Sequence, residues 1–221
     1  EYLADIFDTL DWLGITVDAG PSGPEDFDPT WSMATRTEQF RAAVHQLLAA
    51  HPDHVFVCRC SRRELGPTGC CVAGCATAAV PLVPGESVVR LAVPPGSAVR
   101  MAGHPHPVPD GDHVLWRRDD LPAYQLGSVV ADEALGVTAI VRGVDLLDSS
   151  ALQLHLATLL PAPDFAAVDL RHHALITSLD GEKLSKSAGA QGHPMLRTAE
   201  LRRQVHAWAA GLGARIGIGP P

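Results

Sequence analysis

Lysine is almost absent from this 221-residue chain: 15 of its 17 basic residues are arginine, and the two lysines, Lys183 and Lys186, stand three positions apart. No apolar run approaches the ~18 residues that span a bilayer, so the sequence offers no helical membrane anchor. A formal charge of −8 excludes a simple polybasic nucleic-acid binder, while leaving room for a local basic surface. Internal repeats and low-complexity tracts are missing. With 46% hydrophobic and 19% charged residues, the chain is not of the disordered class. Cysteine is confined to 18 residues, as Cys58, Cys60, Cys70, Cys71 and Cys75.

That confinement is informative. Disulfides that staple a secreted domain are usually spread along it, so the clustering points to a metal site in a reducing cytoplasm. Cys58-x-Cys60 followed by Cys71-x-x-x-Cys75 offers four soft thiolates on tight loops, a donor set suited to tetrahedral Zn²⁺. Cys70 can stand in for Cys71, and the other reading is a set of free thiols left from a lost site. His104, His106, His172 and His173 read as solvated loop residues rather than ligands.

Local patterning predicts an α/β chain. Tyr2, Ile6 and Leu10 follow helical spacing from the first residues, up to a stop at Gly14. There is no leading methionine or signal-like segment, and this start predicts a natural chain that extends upstream. Asp18 to Pro29 reads as a loop. Thr35 and Glu38 suggest a capping box for a helix carrying Phe40, Val44, Leu47 and Leu48. Strands are expected at Val55–Cys58, Ser87–Val93 and His113–Trp116, with Pro- and His-rich turns from Pro94 to Asp112. Val137–Val141 is β-branched, and Ser150 suggests the cap of a helix through Leu160. A strand at Leu175–Ser178 and a helix at Thr198–Leu212 complete the pattern.

The lysines belong to the segment Asp180-Gly181-Glu182-Lys183-Leu184-Ser185-Lys186-Ser187. Two ammonium groups on flexible stems can follow a triphosphate and meet the charge that builds during attack on its α-phosphate. A plain exposed polar turn is the simpler alternative, but lysine at these two places in an arginine-rich chain marks them out.

The string KLSKS resembles the second signature of the class I aminoacyl-tRNA synthetases. Upstream stand Arg117-Arg118-Asp119-Asp120-Leu121-Pro122-Ala123-Tyr124-Gln125-Leu126, then Val129-Val130-Ala131-Asp132-Glu133, Gly136-Val137-Thr138 and Val141-Arg142-Gly143-Val144-Asp145-Leu146-Leu147. In this order they resemble the glutamyl branch, across roughly Glu1 to Ala190. The resemblance implies a Rossmann-like class I catalytic domain whose N-terminal part is missing, with a small zinc-bearing insertion. Residues 1–54 would be the remainder of the first Rossmann half and 55–112 the insertion. Residues 113–178 would form the second half, and 179–221 the KLSKS loop with a C-terminal helix.

By the same resemblance, Lys183 and Lys186 are catalytic and bind ATP together with Ser185 and Ser187, and Tyr124 and Arg142 hold glutamate. A guanidinium fork suits a carboxylate, and a phenol can orient it. ATP with Mg²⁺, structural Zn²⁺, glutamate and tRNA are the implied cofactors and partners, in a cytoplasmic monomer with no membrane contact. Cys58-Arg59-Cys60-Ser61-Arg62 resembles the entrance to the family's zinc insertion, with Cys71 in the third ligand's place. Arg59, Arg62 and Arg63 beside it either meet RNA or are simply solvated. The short cysteine spacing and the 34 residues after Ser187 resemble the branch that transfers glutamate to queuosine in tRNA(Asp). A clipped glutamyl-tRNA synthetase charging the tRNA 3′ end, and a non-catalytic zinc-bearing RNA-interaction module, are the two alternatives.

Three departures stand out. Asp120 replaces the glycine of R-D-G, Ala131 replaces the first acid of V-D-D, and Met33-Ala34 stands where Q-S is expected. The family's HIGH-like first signature is not in the chain; the resemblance puts it upstream of Glu1, and by that reading this stretch alone is inactive.

Overall fold

The computed structural model describes residues 2–66, 69–72, 74–175 and 196–217. Its elements are α1 (Tyr2–Leu13), α2 (Pro24–Asp26), α3 (Thr37–Ala50), β1 (Val55–Cys58), β2 (Val88–Val93), β3 (Ala98–Met101), β4 (His104–Pro107) and β5 (Gly111–Trp116). They are followed by α4 (Tyr124–Ala134), β6 (Ala139–Gly143), α5 (Leu147–Leu159), α6 (Pro163–Ala166), β7 (Asp169–His173) and α7 (Ala199–Arg215). The class is mixed α/β, as the patterning predicts. The chain divides into two compact units, one drawn from 1–35, 141–145 and 171–221, the other from 36–140 and 146–170.

In the first unit α1 and α7 are tied through polar contacts. Trp12 Nε1 donates to the Thr198 carbonyl (3.3 Å), and Arg197 bonds the Asp5 carboxylate and Thr9 Oγ1 (3.0 Å). His206 Nε2 donates to the Leu13 carbonyl at 2.9 Å. Thr198 is the N-cap of α7, its hydroxyl accepting from Leu201 N at 3.1 Å, which satisfies one of the helix's otherwise orphaned donors. Helix α1 stops where Gly14 adopts a φ of +70°, a conformation that glycine takes without strain.

The second unit holds the main core. Its sheet is antiparallel in the order β1-β2-β5, pairing Val55 with Leu91 and Ala92 with Asp112. Val89, Leu91 and Val93 of β2 pack with Phe40, Val44 and Leu47, which recur at helical spacing on α3. Burying each of these side chains contributes about 1.5–3 kcal/mol relative to exposure. The opposite face of β2 carries Val88 and Ala92 into a second cluster with Phe56, Cys58, Cys60 and Cys75. On β5, Leu115 is the extra residue of a bulge, since Val89 pairs with Trp116 and Arg90 with Val114. Leu115 and Trp116 both enter the main core, as the re-aiming of a bulged strand allows.

Several local expectations are corrected. Thr35 does not cap α3: its hydroxyl donates back to the Ser32 carbonyl (2.8 Å) inside a 3₁₀ turn, Met33–Arg36, that precedes the helix. The Pro/His-rich stretch expected as turns is a hairpin of β3 and β4, so His104 and His106 lie on a strand. His172 and His173 lie on β7. The loop at 18–29 contains α2 and the start of a π-type turn, Phe27–Trp31. Helix α5 begins before Ser150, whose hydroxyl bonds back to the Leu146 carbonyl (3.0 Å) within the helix. Helix α4 and strand β7 were not foreseen. The strand expected at Leu175–Ser178 lies outside the described residues from residue 176 onward.

Candidate functional site

Strand β1 ends on Cys58, and the chain turns at once to bring Cys60 back beside it, with Cys60 N donating to Cys58 Sγ at 3.3 Å. A tight bend follows, in which Leu65 bridges Cys71 and Gly66 N donates to the Cys70 carbonyl at 2.8 Å. The bend presents Cys71, whose Sγ lies 3.6 Å from that of Cys60; Cys75 Sγ lies 3.8 Å from Cys60. The sulfurs of Cys58, Cys60, Cys71 and Cys75 all lie within 4.8 Å of one another, and Cys70 is not among them. None of the five cysteines is part of a disulfide.

Four thiolates around Zn²⁺ at ~2.3 Å would lie about 3.8 Å apart in a tetrahedron. The observed separations of 3.6 and 3.8 Å fit that donor set. Burial pushes the Cys58 and Cys60 thiols upward, so neither gives up its proton readily on its own. A bound dication reverses that preference. The surroundings brace the cluster. The Asp112 carboxylate accepts from Cys71 N at 2.5 Å, the Ser61 hydroxyl donates to Glu64 at 2.6 Å, and the Arg118 guanidinium bonds the Arg59 carbonyl. Arg90 reaches the Cys60 carbonyl (3.2 Å) and the Asp112 carbonyl (3.1 Å) from β2. Arg90 and Asp112 were missed by sequence reasoning; a charged residue within the apolar run Val88-Val89-Arg90-Leu91-Ala92-Val93 was the available signal.

Tyr124, the residue expected to meet glutamate, opens α4 and is 52% exposed. The turn before it is firmly held. Arg117 N donates to the Leu121 carbonyl (2.9 Å), and Ala123 N donates to the Leu115 carbonyl (2.8 Å). Asp120, at a φ of +61°, occupies the left-handed conformation that glycine adopts without strain, in keeping with the glycine that the resemblance puts here. Its carboxylate receives both Nη1 (3.1 Å) and Nη2 (2.8 Å) of Arg41 and also Trp116 Nε1 (3.1 Å). The same guanidinium lies over the Trp116 ring, 5.4 Å from its centre. The departure at Asp120 therefore replaces conformational ease with an anchor between α3 and the turn that leads to Tyr124. Ala131 is buried in the main core, where a carboxylate would have to be desolvated.

Arg142 lies on β6, in the other compact unit. Lys183, Ser185, Lys186 and Ser187 lie outside the described residues. Among the described residues, no helix is long and apolar enough to cross a membrane.

The chain matches the family described as class I tRNA synthetases (E and Q), catalytic domain, over residues 85–204. It is 39% identical over 194 residues to the Glutamyl-Q tRNA(Asp) synthetase of Xanthomonas oryzae pv. oryzae, covering 85% of this chain and 61% of that protein. The protein of the same name from Methylococcus capsulatus is 41% identical over 167 residues, covering 71% and 52%. The chain thus spans between half and two thirds of the length of these relatives. The crystal structure of a glutamate-tRNA synthetase from Elizabethkingia anophelis superposes with a TM-score of 0.61 at 21% identity, over 86% of this chain and 43% of that one. At that identity the likeness is one of fold.

The Arg41–Asp120 anchor yields a stability prediction. The Arg41 guanidinium, and after it Trp116 Nε1, hold the Asp120 carboxyl below the usual carboxylate range. Its contribution is complete above the unfolded value of about 3.9 and is lost as pH falls through the lower folded value. Asp120→Gly keeps a residue at ease in the left-handed turn, and the part of its loss that depends on pH reports the carboxylate's contacts. At pH 7 this variant is expected to melt about 2–4 °C lower than the parent. Thermal unfolding followed by circular dichroism should show that gap closing as pH falls below the unfolded value of about 3.9 and through the lower folded value. An unchanged melting temperature at pH 7 would show that the anchor contributes nothing.

Proposed function

We infer a function from one premise: the chain belongs to the family of class I tRNA synthetases (E and Q). We propose that its protein activates glutamate with ATP and transfers the glutamyl group to queuosine in tRNA(Asp). The observation that carries this reading is the 39–41% identity, over most of the chain, to proteins named for that transfer. The compact four-cysteine cluster and the ordered motifs around Tyr124 and Arg142 support it.

In the first step a carboxylate oxygen of glutamate attacks the α-phosphorus of ATP, and pyrophosphate leaves. Lys183 and Lys186 meet the negative charge that builds on the phosphate oxygens, assisted by the Ser185 and Ser187 hydroxyls and the Mg²⁺ that accompanies ATP. Arg142 grips a glutamate carboxylate through its fork, and Tyr124 orients the substrate through its phenol. In the second step a hydroxyl of the queuosine ring attacks the activated acyl carbon, and AMP leaves with the P–O bond intact.

Residues 55–112 act as the zinc-bearing insertion, with Cys58, Cys60, Cys71 and Cys75 as ligands. A closed four-thiolate site has no open position for water, so the metal there would be structural, holding the knuckle that approaches the tRNA. Cysteines outside disulfides persist in the reducing cytoplasm, the compartment proposed for the protein. In this reading residues 1–54 and 113–178 would belong to the two Rossmann-like halves, and 179–221 to the KLSKS loop and C-terminal helix.

Two outcomes test the reading. With ATP and labelled glutamate, the intact gene product should label tRNA(Asp) that contains queuosine and leave queuosine-free tRNA(Asp) unlabelled. Label at the tRNA 3′ end in both would instead make it a tRNA-charging enzyme. Within the activation step, Lys186→Ala should slow glutamate-dependent pyrophosphate exchange by about 10²–10³-fold. Arg142→Ala should raise the glutamate KM by about 10–100-fold, the scale of a lost charge-assisted fork. Exchange kinetics equal to the parent's in either variant would remove that residue from the site.

A further inference from the structure

Arg90 is 3% exposed, in the middle of β2, on the strand face that carries Val88 and Ala92 toward the cysteine cluster. Its guanidinium stays charged at any pH the fold survives. Two of its nitrogens donate to neutral acceptors, the carbonyls of Cys60 (3.2 Å) and Asp112 (3.1 Å). Its buried Nε has no hydrogen-bond partner. Among the described residues Arg90 forms no ion pair with a carboxylate; the Asp112 carboxylate is turned to the backbone N–H of Cys71 instead. A buried cation whose hydrogen-bond partners are only carbonyls is costly, because they replace little of the hydration it has lost.

The four-cysteine cluster poses the opposite problem. Four thiolates around a dication leave a net charge of −2 in a site whose Cys58, Cys60 and Cys75 are buried. Each arrangement is unfavourable alone, and each is relieved by the other. We propose that Arg90 is the built-in counter-charge of the four-thiolate site and sets how tightly that site holds zinc. Arg90 is a positioning residue, not a ligand: its fork fixes the backbone at Cys60 and Asp112, and its charge offsets the thiolates. This rests on the zinc reading given above.

The test compares the intact gene product with Arg90→Met and Arg90→Lys, reading bound zinc per chain and competition with a chromophoric zinc chelator. Denaturant unfolding of each metal-free protein is followed in parallel. The parent should bind one zinc. Arg90→Met should bind it about 10–100-fold more weakly, the range for losing a group that supports a ligand shell. Its metal-free stability should be equal to the parent's or higher, since an unpaired buried charge has been removed. Arg90→Lys restores the charge without the fork and should recover most of the affinity. Parental affinity in Arg90→Met overturns the proposal, as does an Arg90→Lys affinity no better than that of Arg90→Met. If Arg90→Met does not fold, Arg90→Lys against the parent decides: a loss of 100-fold or more overturns the charge role, and a smaller one supports it. A parent that takes up no zinc sinks the metal reading itself.

Discussion

The period-two alternation of one short strand sets the conditions for the rest of the second unit. In β2, Val89, Leu91 and Val93 face the helices, while Val88, Arg90 and Ala92 face the cysteines. Its neighbour β1 repeats the division, with Val55 and Val57 on the core side and Phe56 and Cys58 on the other. A slip of one residue would bury Arg90 among Phe40 and Leu47 and leave the thiols without their backing. The apolar face therefore fixes the register, and the register fixes where the sulfurs meet. Little of the cluster's geometry has to be encoded by the loops themselves.

The edge of the same sheet also positions the segment that carries Tyr124. The bulge on β5 turns Leu115 and Trp116 into the core, and the indole N–H of Trp116 then receives its partner from Asp120. Asp120 in turn captures Arg41 from α3. The turn before α4 is thus held from the core outward by hydrogen bonds and one ion pair. A tyrosine at the start of that helix inherits a fixed origin while staying half exposed, in keeping with the substrate role proposed for it. The pair is itself about a third exposed, so solvent screens it, and its value lies in orientation more than in stability.

Much of this was legible in the sequence. The apolar spacing of Phe40, Val44 and Leu47 located α3, and the β-branched and aromatic runs located β1, β2 and β5. The cysteine spacing marked the cluster but left Cys70 and Cys71 as alternatives, and the fold brings Cys71, not Cys70, beside the other three. What was not legible has physical causes. Prolines beside His104 and His106 signal turns, yet the hairpin of β3 and β4 tolerates them because neither strand lies within a larger sheet. Thr35 and Ser150 have the chemistry of helix caps, but both hydroxyls bond back to carbonyls earlier in the chain, an outcome that depends on where the turn falls. Asp120 looked like a loss of glycine's freedom, and only the approach of Arg41, 79 positions away, shows what replaced it. Arg90 was hidden for the same reason: its partners come from β1's exit and from β5, and no local pattern joins them.

Sequence, sheet register and buried charge converge on the sulfurs of Cys58, Cys60, Cys71 and Cys75. A zinc K-edge absorption spectrum of the purified intact protein examines that convergence directly. The predicted result is four sulfur neighbours at about 2.3 Å. A shell that includes nitrogen or oxygen, a shell of fewer sulfurs, or a protein without zinc would contradict it.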